Sequence, residues 1–540
     1  MGIRRKATVF FESEEASDIV KKTDSLTHTA TVYGLECLET LDIAEIDVSL
    51  IKGLSLALVR DELALPLWKK DGVVHVAIGN PLETSILDEY RIFFNAPILP
   101  ILAPAQKLPD WINQSFKRGS QSVSDVMEEM EKDGEMKKDE IIVGVDLLDN
   151  PQAAPIVRFV NSLLSQAIQH KASDIHIEPF EKDLSVRMRV DGVLQEEVQP
   201  PRSWRGQLVS RIKVMAELDI AKKNIPQDGR ISTLMAGKEI DIRVSTMPVR
   251  HGERVVMRIL EKQTNFSLDS MGMHPDILRH FRNLIEIPYG IILVCGPTGS
   301  GKTTTLYSAL SEINSPDKNI LTIEDPIEYE LRGIGQTQVN NKIDLTFARV
   351  VRAHLRQDPD VILIGETRDK ETAENAIQAS LTGHLVFSTL HTNDAPTAFT
   401  RLIDMGIEPF LVATSVTAVL AQRLVRRLCK HCKEPYVPDA SEIATLGLPN
   451  SHKHYFTGHL FKAKGCKECG NKGYSGRMGI HELMVVDEDI RRLVAQGKDA
   501  ALIMNMCVRK GMLTLRDDGM IKVSQGLTSV DEIFRVVSGG

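Results

Sequence analysis

Residues 291–303 read Ile-Ile-Leu-Val-Cys-Gly-Pro-Thr-Gly-Ser-Gly-Lys-Thr, and this stretch decides the fold of the region around it. Its first five residues form an apolar run that is typical of a buried strand. Gly296 to Thr303 match the glycine-rich pattern that turns backbone N–H groups inward around a phosphate. Residues 304–310 fit a helix whose N-terminus adds positive potential to the loop. Strand, loop and helix in this order predict a P-loop that binds ATP.

Two residues at the end of such a loop have distinct roles in binding Mg-ATP. Lys302 reaches the β and γ phosphates, and the Thr303 hydroxyl binds Mg²⁺. A plain glycine turn is the alternative, but the strand before the loop and the helix after it favour a nucleotide site. The predicted nucleotide contacts of the loop are Gly296, Pro297, Thr298, Gly299, Ser300, Gly301, Lys302, Thr303 and Thr304.

Two glutamates follow further apolar runs of the same region. Glu366 comes directly after 361–364 and Gly365, which should place it at the sheet edge where Mg²⁺ and the attacking water lie. An aspartate is more usual there, so holding Mg²⁺ through water and polarising the nucleophile both stay open for Glu366. Glu324 follows the run 320–323, which lies between the P-loop and Glu366 along the chain. It is a candidate general base, with a solvated acidic loop as the alternative.

A histidine ends a fourth apolar run. The run 385–390 is followed by His391, and a strand of the same sheet would bring this imidazole towards the nucleotide. A lone histidine is more often a structural hydrogen-bonding group than a catalyst. An imidazole can also donate to a phosphate oxygen, so His391 is a candidate sensor of the γ phosphate.

Length and composition indicate a multidomain protein inside the cell. The chain has 540 residues, 42% of them hydrophobic and 26% charged, and domains of roughly 100 to 200 residues predict about three or four. The net charge of −8 provides no overall attraction for nucleic acid or anionic lipid. The apolar stretch behind the basic N-terminus ends at Glu12, and polar residues interrupt the candidate span 409–424. We expect a cytoplasmic protein that does not span a membrane.

The part of the chain before the P-loop divides at an acidic stretch. Residues 41–116 alternate between strand-like and helix-like segments and predict a small α/β domain. Residues 123–140 contain eight acids and three lysines with few apolar residues, which predicts a linker. Beyond it, 155–170 has helical apolar spacing, and 184–190 alternates strictly before an Asp-Gly turn. Arginines on the polar face of such strands are either solvated or in contact with a nucleotide.

Two Cys-x-x-Cys pairs, Cys429/Cys432 and Cys466/Cys469, predict a metal site. Four thiolates suit a tetrahedral Zn²⁺ that acts as a structural cross-link. Two unrelated reduced pairs or a redox-active disulfide are the alternatives, and neither explains the second pair. His431 could replace one cysteine, although its position between two of them makes that geometry awkward. Basic residues nearby raise the alternative of a zinc ribbon on nucleic acid, for which solvated side chains are the simpler explanation.

The four elements of the predicted ATP site resemble the secretion-superfamily ATPases that drive type II secretion and type IV pilus machines. In that family the Walker A, Asp-box, Walker B and His-box motifs come in this order. The resemblance also covers 172–179, 225–230 and 355–360, so it extends from about residue 150 to the end. It implies a hexameric ring in which a PAS-like middle domain moves against a RecA-like domain. It further implies that ATP lies in the cleft between those domains and that Arg230 and Arg243 contact it.

The resemblance gives the predicted fold class and domain organisation. The fold class is α/β, with a RecA-like P-loop ATPase domain, a PAS-like α+β middle domain, a small N-terminal α/β domain and a zinc-binding tetracysteine insertion. The expected parts are a docking domain at 1–120, an acidic linker at 121–150, the middle domain at 151–268, the ATPase domain at 269–540 and, inside it, the tetracysteine subdomain at 425–475.

Within the family, the residues most resemble the type II secretion assembly ATPases. Residues 335–340, the phrase 346–349 and the tetracysteine insertion carry this resemblance, and pilus extension ATPases come next. It implies a homo-hexamer attached to the inner membrane through the cytoplasmic domain of an assembly protein. A polytopic platform protein and acidic phospholipid are further implied partners, and nucleic acid is not expected.

Two functions of other classes remain as alternatives. A RecA-like core also serves nucleic-acid motors, since a fold does not determine function, but the charge and the motifs argue against this. A nucleotide-binding scaffold without turnover is the second, because the acid at Glu366 is atypical for its position.

Overall fold

The computed structural model describes residues 26–51, 54–82, 84–119, 155–235, 238–261, 266–448 and 450–537. The chain divides into two compact units, Met1–Lys262 and Gln263–Gly540, and each is described by itself. The linker predicted at 121–150 lies outside the described residues.

The first unit contains a four-stranded sheet in the order β1-β4-β3-β2 among its described residues. The turn between the second and third strands places Asp71 and Gly72 at φ 52° and 82°, as a two-residue hairpin turn requires. Apolar helix faces and strands together bury one core, so the predicted small α/β domain is observed. The strands are β1 (Glu36–Cys37), β2 (Ala64–Lys70), β3 (Val73–Ile78) and β4 (Ile98–Leu102), and the helices are α1 (Leu26–Tyr33), α2 (Leu56–Asp61), α3 (Ser85–Phe94) and α4 (Leu108–Gly119).

A second sheet of the same unit has, in the part that the structure describes, six antiparallel strands in the order β7-β6-β5-β10-β9-β8. The helix predicted over 155–170 is observed at Pro155–Gln169, directly before the first strand of this sheet. It buries the apolar face that the spacing of its residues indicates. One sheet face therefore packs on helices and the other carries arginines. The elements are α5 (Pro155–Gln169), β5 (Ala172–Pro179), β6 (Leu184–Val190), β7 (Val193–Val198), α6 (Arg205–Met215), β8 (Gln227–Met235), β9 (Lys238–Val249) and β10 (Gly252–Glu261).

The second unit is built on a seven-stranded sheet, counted over its described residues, in the order β13-β12-β14-β15-β11-β16-β19. Its strand pairs are parallel except for the antiparallel pair of β16 and β19, as the α/β fold class of this domain leads one to expect. The strands are β11 (Gly290–Cys295), β12 (Ile320–Glu324), β13 (Gly335–Gln338), β14 (Val361–Ile364), β15 (Leu385–Leu390), β16 (Val416–Leu428) and β19 (Tyr474–Val485).

Helices cover both faces of this sheet. Ile291 and Leu293 of β11 enter one core while Ile292 and Val294 enter the other, because successive side chains of a strand point to opposite faces. The helices are α7 (Pro275–Ile285), α8 (Lys302–Ile313), α9 (Phe347–His354), α10 (Lys370–Leu381), α11 (Thr397–Asp404), α12 (Pro409–Ser415), α13 (Ala440–Leu446), α14 (Glu488–Ala495), α15 (Ala500–Arg509), α16 (Leu515–Ser524) and α17 (Val530–Val537).

The strand order corrects one expectation about the ATP site. The strand that leads to Glu324 lies between the P-loop and Glu366 along the chain, but in the sheet it lies beyond the Glu366 strand. The strand that leads to His391 separates the P-loop strand from the Glu366 strand. A single sequence does not specify this crossover, so His391 is closer to the centre of the site than its place along the chain indicates.

Between β16 and β19, the chain forms a small two-stranded sheet of β17 (Glu434–Tyr436) and β18 (Leu460–Lys462). Cys429/Cys432 precede this sheet and Cys466/Cys469 follow it. The apolar segment 409–424 is divided between helix α12 and strand β16. Among the residues that the structure describes, none of the helices has the length and apolar character needed to cross a membrane.

Candidate functional site

The P-loop joins β11 to α8 and is shaped by its glycines. Gly296, Gly299 and Gly301 have φ values of 147°, 79° and 88°, a region that residues with a Cβ rarely adopt. At Gly296 an added Cβ would also stand 2.4 Å from the backbone oxygen of Gln422. The concave shape of the loop therefore depends on glycine at these three positions. The predicted strand, loop and helix are all observed.

Lys302 lies within the loop that it is predicted to serve. Its Nζ donates to the carbonyl oxygens of Gly296 at 2.7 Å and Pro297 at 3.2 Å. Burial lowers the pKa of Lys302, and the nearby Glu366 carboxylate opposes that shift. Thr303, the predicted Mg²⁺ ligand, is exposed on the first turn of α8. The loop therefore presents an amine, a hydroxyl and a helix N-terminus, which suit the phosphates and metal of Mg-ATP.

Gln422, on the neighbouring strand β16, forms hydrogen bonds with the loop and with the first turn of α8. Its side-chain amide donates to the Ser300 carbonyl at 2.7 Å and accepts from the Thr305 hydroxyl at 2.8 Å. All three residues are buried, so these bonds hold the loop and the first turn of α8 to the sheet. Gln422 is not among the predicted site residues. Its strand also carries Thr417 and three arginines, so the sequence alone does not single it out.

Glu366 stands just after β14 and has two cationic or polar neighbours. Its Oε1 lies 3.0 Å from Nε2 of His391, and its Oε2 lies 2.6 Å from the Arg368 guanidinium. Burial raises the pKa of Glu366, but Arg368, His391 and Lys302 together hold it below its usual value. The carboxylate is therefore ionised at neutral pH. The structure brings Lys302, Glu366 and His391, three of the four predicted catalytic residues, to one edge of the sheet.

The surroundings of His391 favour its neutral form. Burial and the positive charge of Lys302 lower the pKa of His391, and Glu366 opposes this effect. A neutral imidazole bonded to a carboxylate at 3.0 Å must donate from Nε2. His391 therefore orients Glu366 in this state. Arg368 is not among the predicted site residues, although the sequence shows this charged residue two positions after Glu366.

Glu324 occupies a different environment at the end of β12. It is 4% exposed, and its carboxylate accepts hydrogen bonds from the side chains of Tyr307 at 2.5 Å, Thr322 at 2.7 Å and Gln336 at 3.2 Å. These bonds use both oxygens. The group therefore ties α8, β12 and β13 together, whereas Glu366 bonds the more exposed side chains of Arg368 and His391 at the sheet edge.

Arg230 and Arg243 lie in the six-stranded sheet of the first unit. They are directly opposite each other on β8 and β9, and Arg243 is in turn opposite Arg258 on β10. The same row continues to Asp174 and Arg189, so that four arginines share it with one aspartate. Asp174 pairs with Arg258 at 2.9 Å and with Arg189 at 3.7 Å. Like charges opposite each other are unfavourable, so this row suits an anion.

The four predicted zinc ligands meet in one cluster. Their four sulfur atoms, from Cys429, Cys432, Cys466 and Cys469, all lie within 4.8 Å of one another. Three sulfur pairs are 3.7, 3.8 and 3.9 Å apart, which agrees with the roughly 3.8 Å between ligands of a tetrahedral Zn²⁺ with Zn–S bonds of about 2.3 Å. His431 is outside this cluster, so the alternative of a histidine ligand is not supported.

Backbone N–H groups stabilise negative charge in the cysteine cluster. The amides of Cys466 and Gly473 donate to the sulfur of Cys469 at 3.3 and 3.2 Å. Burial alone would raise the pKa of Cys469, but these donors hold it below its usual value. A thiolate is the form that binds zinc. The donor set, the spacing and the hydrogen bonds therefore all fit this metal.

Several basic residues beside the cysteines have partners within the protein. Arg426 pairs with buried Glu532 at 2.7 Å, and Arg423 donates to Val536 O at 2.8 Å and to Asn393 at 3.1 Å. Lys433 donates to Gly526 O at 2.8 Å and lies over the ring of Phe461. Each of these three residues therefore has a partner in the C-terminal part of the chain. Their presence beside the cysteines is explained by these contacts, without solvation or a bound nucleic acid.

Two family models match this chain. The model described as Type II/IV secretion system protein matches residues 149–535, and the MshEN domain model matches residues 33–122. The first match covers the six-stranded sheet, the candidate ATP site and the cysteine cluster. The second covers most of the four-stranded sheet domain.

Curated relatives named as type II secretion proteins and one solved structure are similar to this chain. The chain is 52% identical to the type II secretion system ATPase E of Vibrio cholerae over 79% of this chain and 84% of the relative. It is 54% identical to the type II secretion system protein HxcR of Pseudomonas aeruginosa over 76% of this chain and 83% of the relative. The structure of the ATPase DotB of Legionella pneumophila aligns with a TM-score of 0.53 at 22% identity, covering 74% of this chain and 98% of that one. This last likeness supports the fold alone.

Proposed function

The chain belongs to the family of type II and type IV secretion system proteins, and from this premise we propose that it is the assembly ATPase of a type II secretion system. It hydrolyses ATP to ADP and phosphate, and the energy drives pseudopilus assembly and protein export. The observation that carries this proposal is the 52% identity to a type II secretion ATPase across most of both chains, including the candidate ATP site. A type IV pilus extension ATPase is the nearest alternative within the family.

In the proposed site, the loop residues from Gly296 to Thr304 bind the phosphates, and Thr303 holds Mg²⁺. The metal neutralises charge on the phosphates, and Lys302 adds a fixed cation. Glu366 activates the attacking water, because it is ionised, stands at the sheet edge and has lone pairs facing donors that can be displaced. Glu324 has its oxygens in a buried network, which supports a role in positioning β12.

His391 and the arginines of the first unit complete the proposal. On ATP binding, His391 exchanges its bond to Glu366 for one to the γ phosphate, which would release the carboxylate for the water. Arg230 and Arg243 are proposed to contact the nucleotide, as the family resemblance implies. The excess of positive charge in their cross-strand row supports this role, since developing phosphate charge needs cations besides Lys302 and Mg²⁺.

We also propose that the four cysteines bind a structural Zn²⁺. Replacing one ligand, Cys429→Ser, should lower the zinc content by about one ion per chain, because three thiolates hold the metal far less tightly than four. His431→Ala is the matched control, since His431 stands between two ligands without belonging to the cluster. Metal analysis of purified protein measures both. A parent protein without stoichiometric zinc in this site, or an equal loss in both variants, contradicts the assignment.

The partners and location are proposed from the family. We propose a homo-hexamer held at the cytoplasmic face of the inner membrane by the cytoplasmic domain of an assembly protein. The polytopic platform protein would receive the movement, and acidic phospholipid would support attachment. The match of residues 33–122 to the MshEN domain supports a separate N-terminal docking domain.

A nucleic-acid motor is the alternative of another class, and stimulation of ATP turnover separates the two. We expect phosphate release to rise when the cytoplasmic domain of the assembly protein and acidic vesicles are added together. DNA or RNA should leave the rate unchanged, because the chain has an excess of acidic residues and several of its basic residues near the cysteines are paired internally. Stimulation by nucleic acid alone, lost at raised salt, would contradict the proposal.

A further inference from the structure

A second group of metal-ligating side chains lies outside both the ATP site and the cysteine cluster. His274 and Asp276 stand at the start of α7, and His452 stands in the 3₁₀ segment Asn450–Tyr455. One ligand atom of each of these three residues lies within 4.8 Å of the other two. The residues are far apart in sequence, so the fold itself brings them together.

The neighbours of these side chains orient them. His274 is buried, and its ring packs edge to face on the ring of His452 with 5.1 Å between the centroids. Asp276 bonds Arg279 through Oδ1 at 3.0 Å, and its Oδ2 stands 3.7 Å from Nδ1 of His274. One carboxylate oxygen is thus fixed by a cation while the other faces the imidazoles. Nδ1 of His274 accepts a hydrogen bond from the Asp276 backbone N–H at 3.3 Å, and metal binding through Nδ1 would replace this bond.

A cavity of about 480 Å³ opens beside the group and is lined by Asp276 and His452. It gives an ion access from solvent and leaves room for water as a further ligand. Lys510, which also lines the cavity, is paired with Asp487 and Asp489 at 2.6 Å each. Its charge is therefore compensated and does not exclude a cation.

We propose that His274, Asp276 and His452 bind a divalent transition-metal ion, for which Zn²⁺ is the best match. Two imidazoles and one carboxylate are ligands that zinc accepts, whereas Mg²⁺ and Ca²⁺ prefer oxygen atoms alone. Ligand atoms on a tetrahedral zinc are about 3.4 Å apart, so the three groups close on the ion by side-chain movements on the order of 1 Å. Coordination remains open at one position.

The ion would cross-link two parts of the second unit. His452 lies in the chain between the two cysteine pairs, whereas α7 leads directly into β11 and the P-loop. Binding at this site would therefore fasten the tetracysteine insertion to the helix that precedes the ATP-binding strand. A metal that binds the folded segment also stabilises it against local opening.

The test compares the full chain with two variants after equilibration with free Zn²⁺ and removal of excess metal. Parent protein should hold about one zinc ion more than His452→Ala, whatever the occupancy of the cysteine cluster. His454→Ala is the matched control, because His454 packs on Tyr455 and is outside the group. Metal analysis gives the zinc content, and ATP turnover shows that each variant is folded.

Hydrogen exchange gives an independent second readout. Addition of Zn²⁺ should slow exchange in residues 450–455 of the parent and of His454→Ala, but not of His452→Ala. Equal zinc content in the parent and His452→Ala overturns the proposal. An equal loss in His454→Ala also overturns it, because the effect would then come from disturbance of the segment.

Discussion

Replacing Lys302 with alanine is expected to abolish ATP hydrolysis by this chain. The amine stands inside the P-loop and is the one cation that the loop itself supplies to the β and γ phosphates. Loss of a preorganised charge of this kind lowers the turnover rate by at least about 10²-fold to 10³-fold. The affinity for ATP should fall as well, since Lys302 contacts the phosphates in both the ground state and the transition state. Steady-state phosphate release and titration with a fluorescent ATP analogue measure the two effects.

A lysine on the surface of the same unit controls for loss of charge. Lys370, at the start of α10, is exposed and pairs with Glu374 at 3.6 Å. Lys370→Ala should hydrolyse ATP at the parental rate, because this position is a surface ion pair worth little energy. Parental turnover in Lys302→Ala would show that the loop is not the hydrolytic centre, and absence of turnover in the parent would favour a nucleotide-binding scaffold.

Glu366→Gln is expected to stop hydrolysis while ATP binding persists. The change keeps the size of the side chain but removes the ionised group that would accept a proton from water. General-base catalysis contributes about 10²-fold to 10⁴-fold, so turnover should fall by this amount. The P-loop remains intact, and loss of the negative charge beside Lys302 and His391 should leave ATP bound at least as tightly as in the parent. The same two assays separate this result from that of Lys302→Ala.

Two other glutamates test the specificity of this effect. Glu371→Gln, at an exposed position that pairs with Arg352 at 2.7 Å, should leave turnover unchanged. Glu324→Gln disturbs a buried network, and we expect a smaller loss of turnover together with a lower melting temperature. A larger loss of turnover in Glu324→Gln than in Glu366→Gln, with unchanged stability, would assign the general base to Glu324.

The sequence alone predicted the elements that have strong local signals. The P-loop, the helix at Pro155–Gln169 and the strand at Leu184–Val190 each have a periodicity or turn chemistry that involves neighbouring residues. The cysteine cluster followed from the spacing of its two pairs. For these features the information lies within a short stretch of chain.

Other features depend on contacts between distant segments. The order of the parallel strands places the strand before His391 beside that of the P-loop, and crossover order is not encoded in a single run. Three features of the site follow from this order: the bond between His391 and Glu366, the hydrogen bonds from Gln422 to the P-loop, and the burial of Glu324. The group of His274, Asp276 and His452 likewise has no spacing that marks it in the sequence. His274 and Asp276 lie at the start of α7, whereas His452 lies in the tetracysteine insertion, far away along the chain.

The most direct test of the central claim is protein export by host cells from which the gene is deleted. If the chain is a type II secretion ATPase, the deletion strain should retain its exported enzymes inside the cell. The parental gene should restore their appearance in the medium, and the Lys302→Ala gene should not. Undiminished export by the deletion strain would contradict the account, and loss of surface pili with normal export would instead identify a pilus extension ATPase.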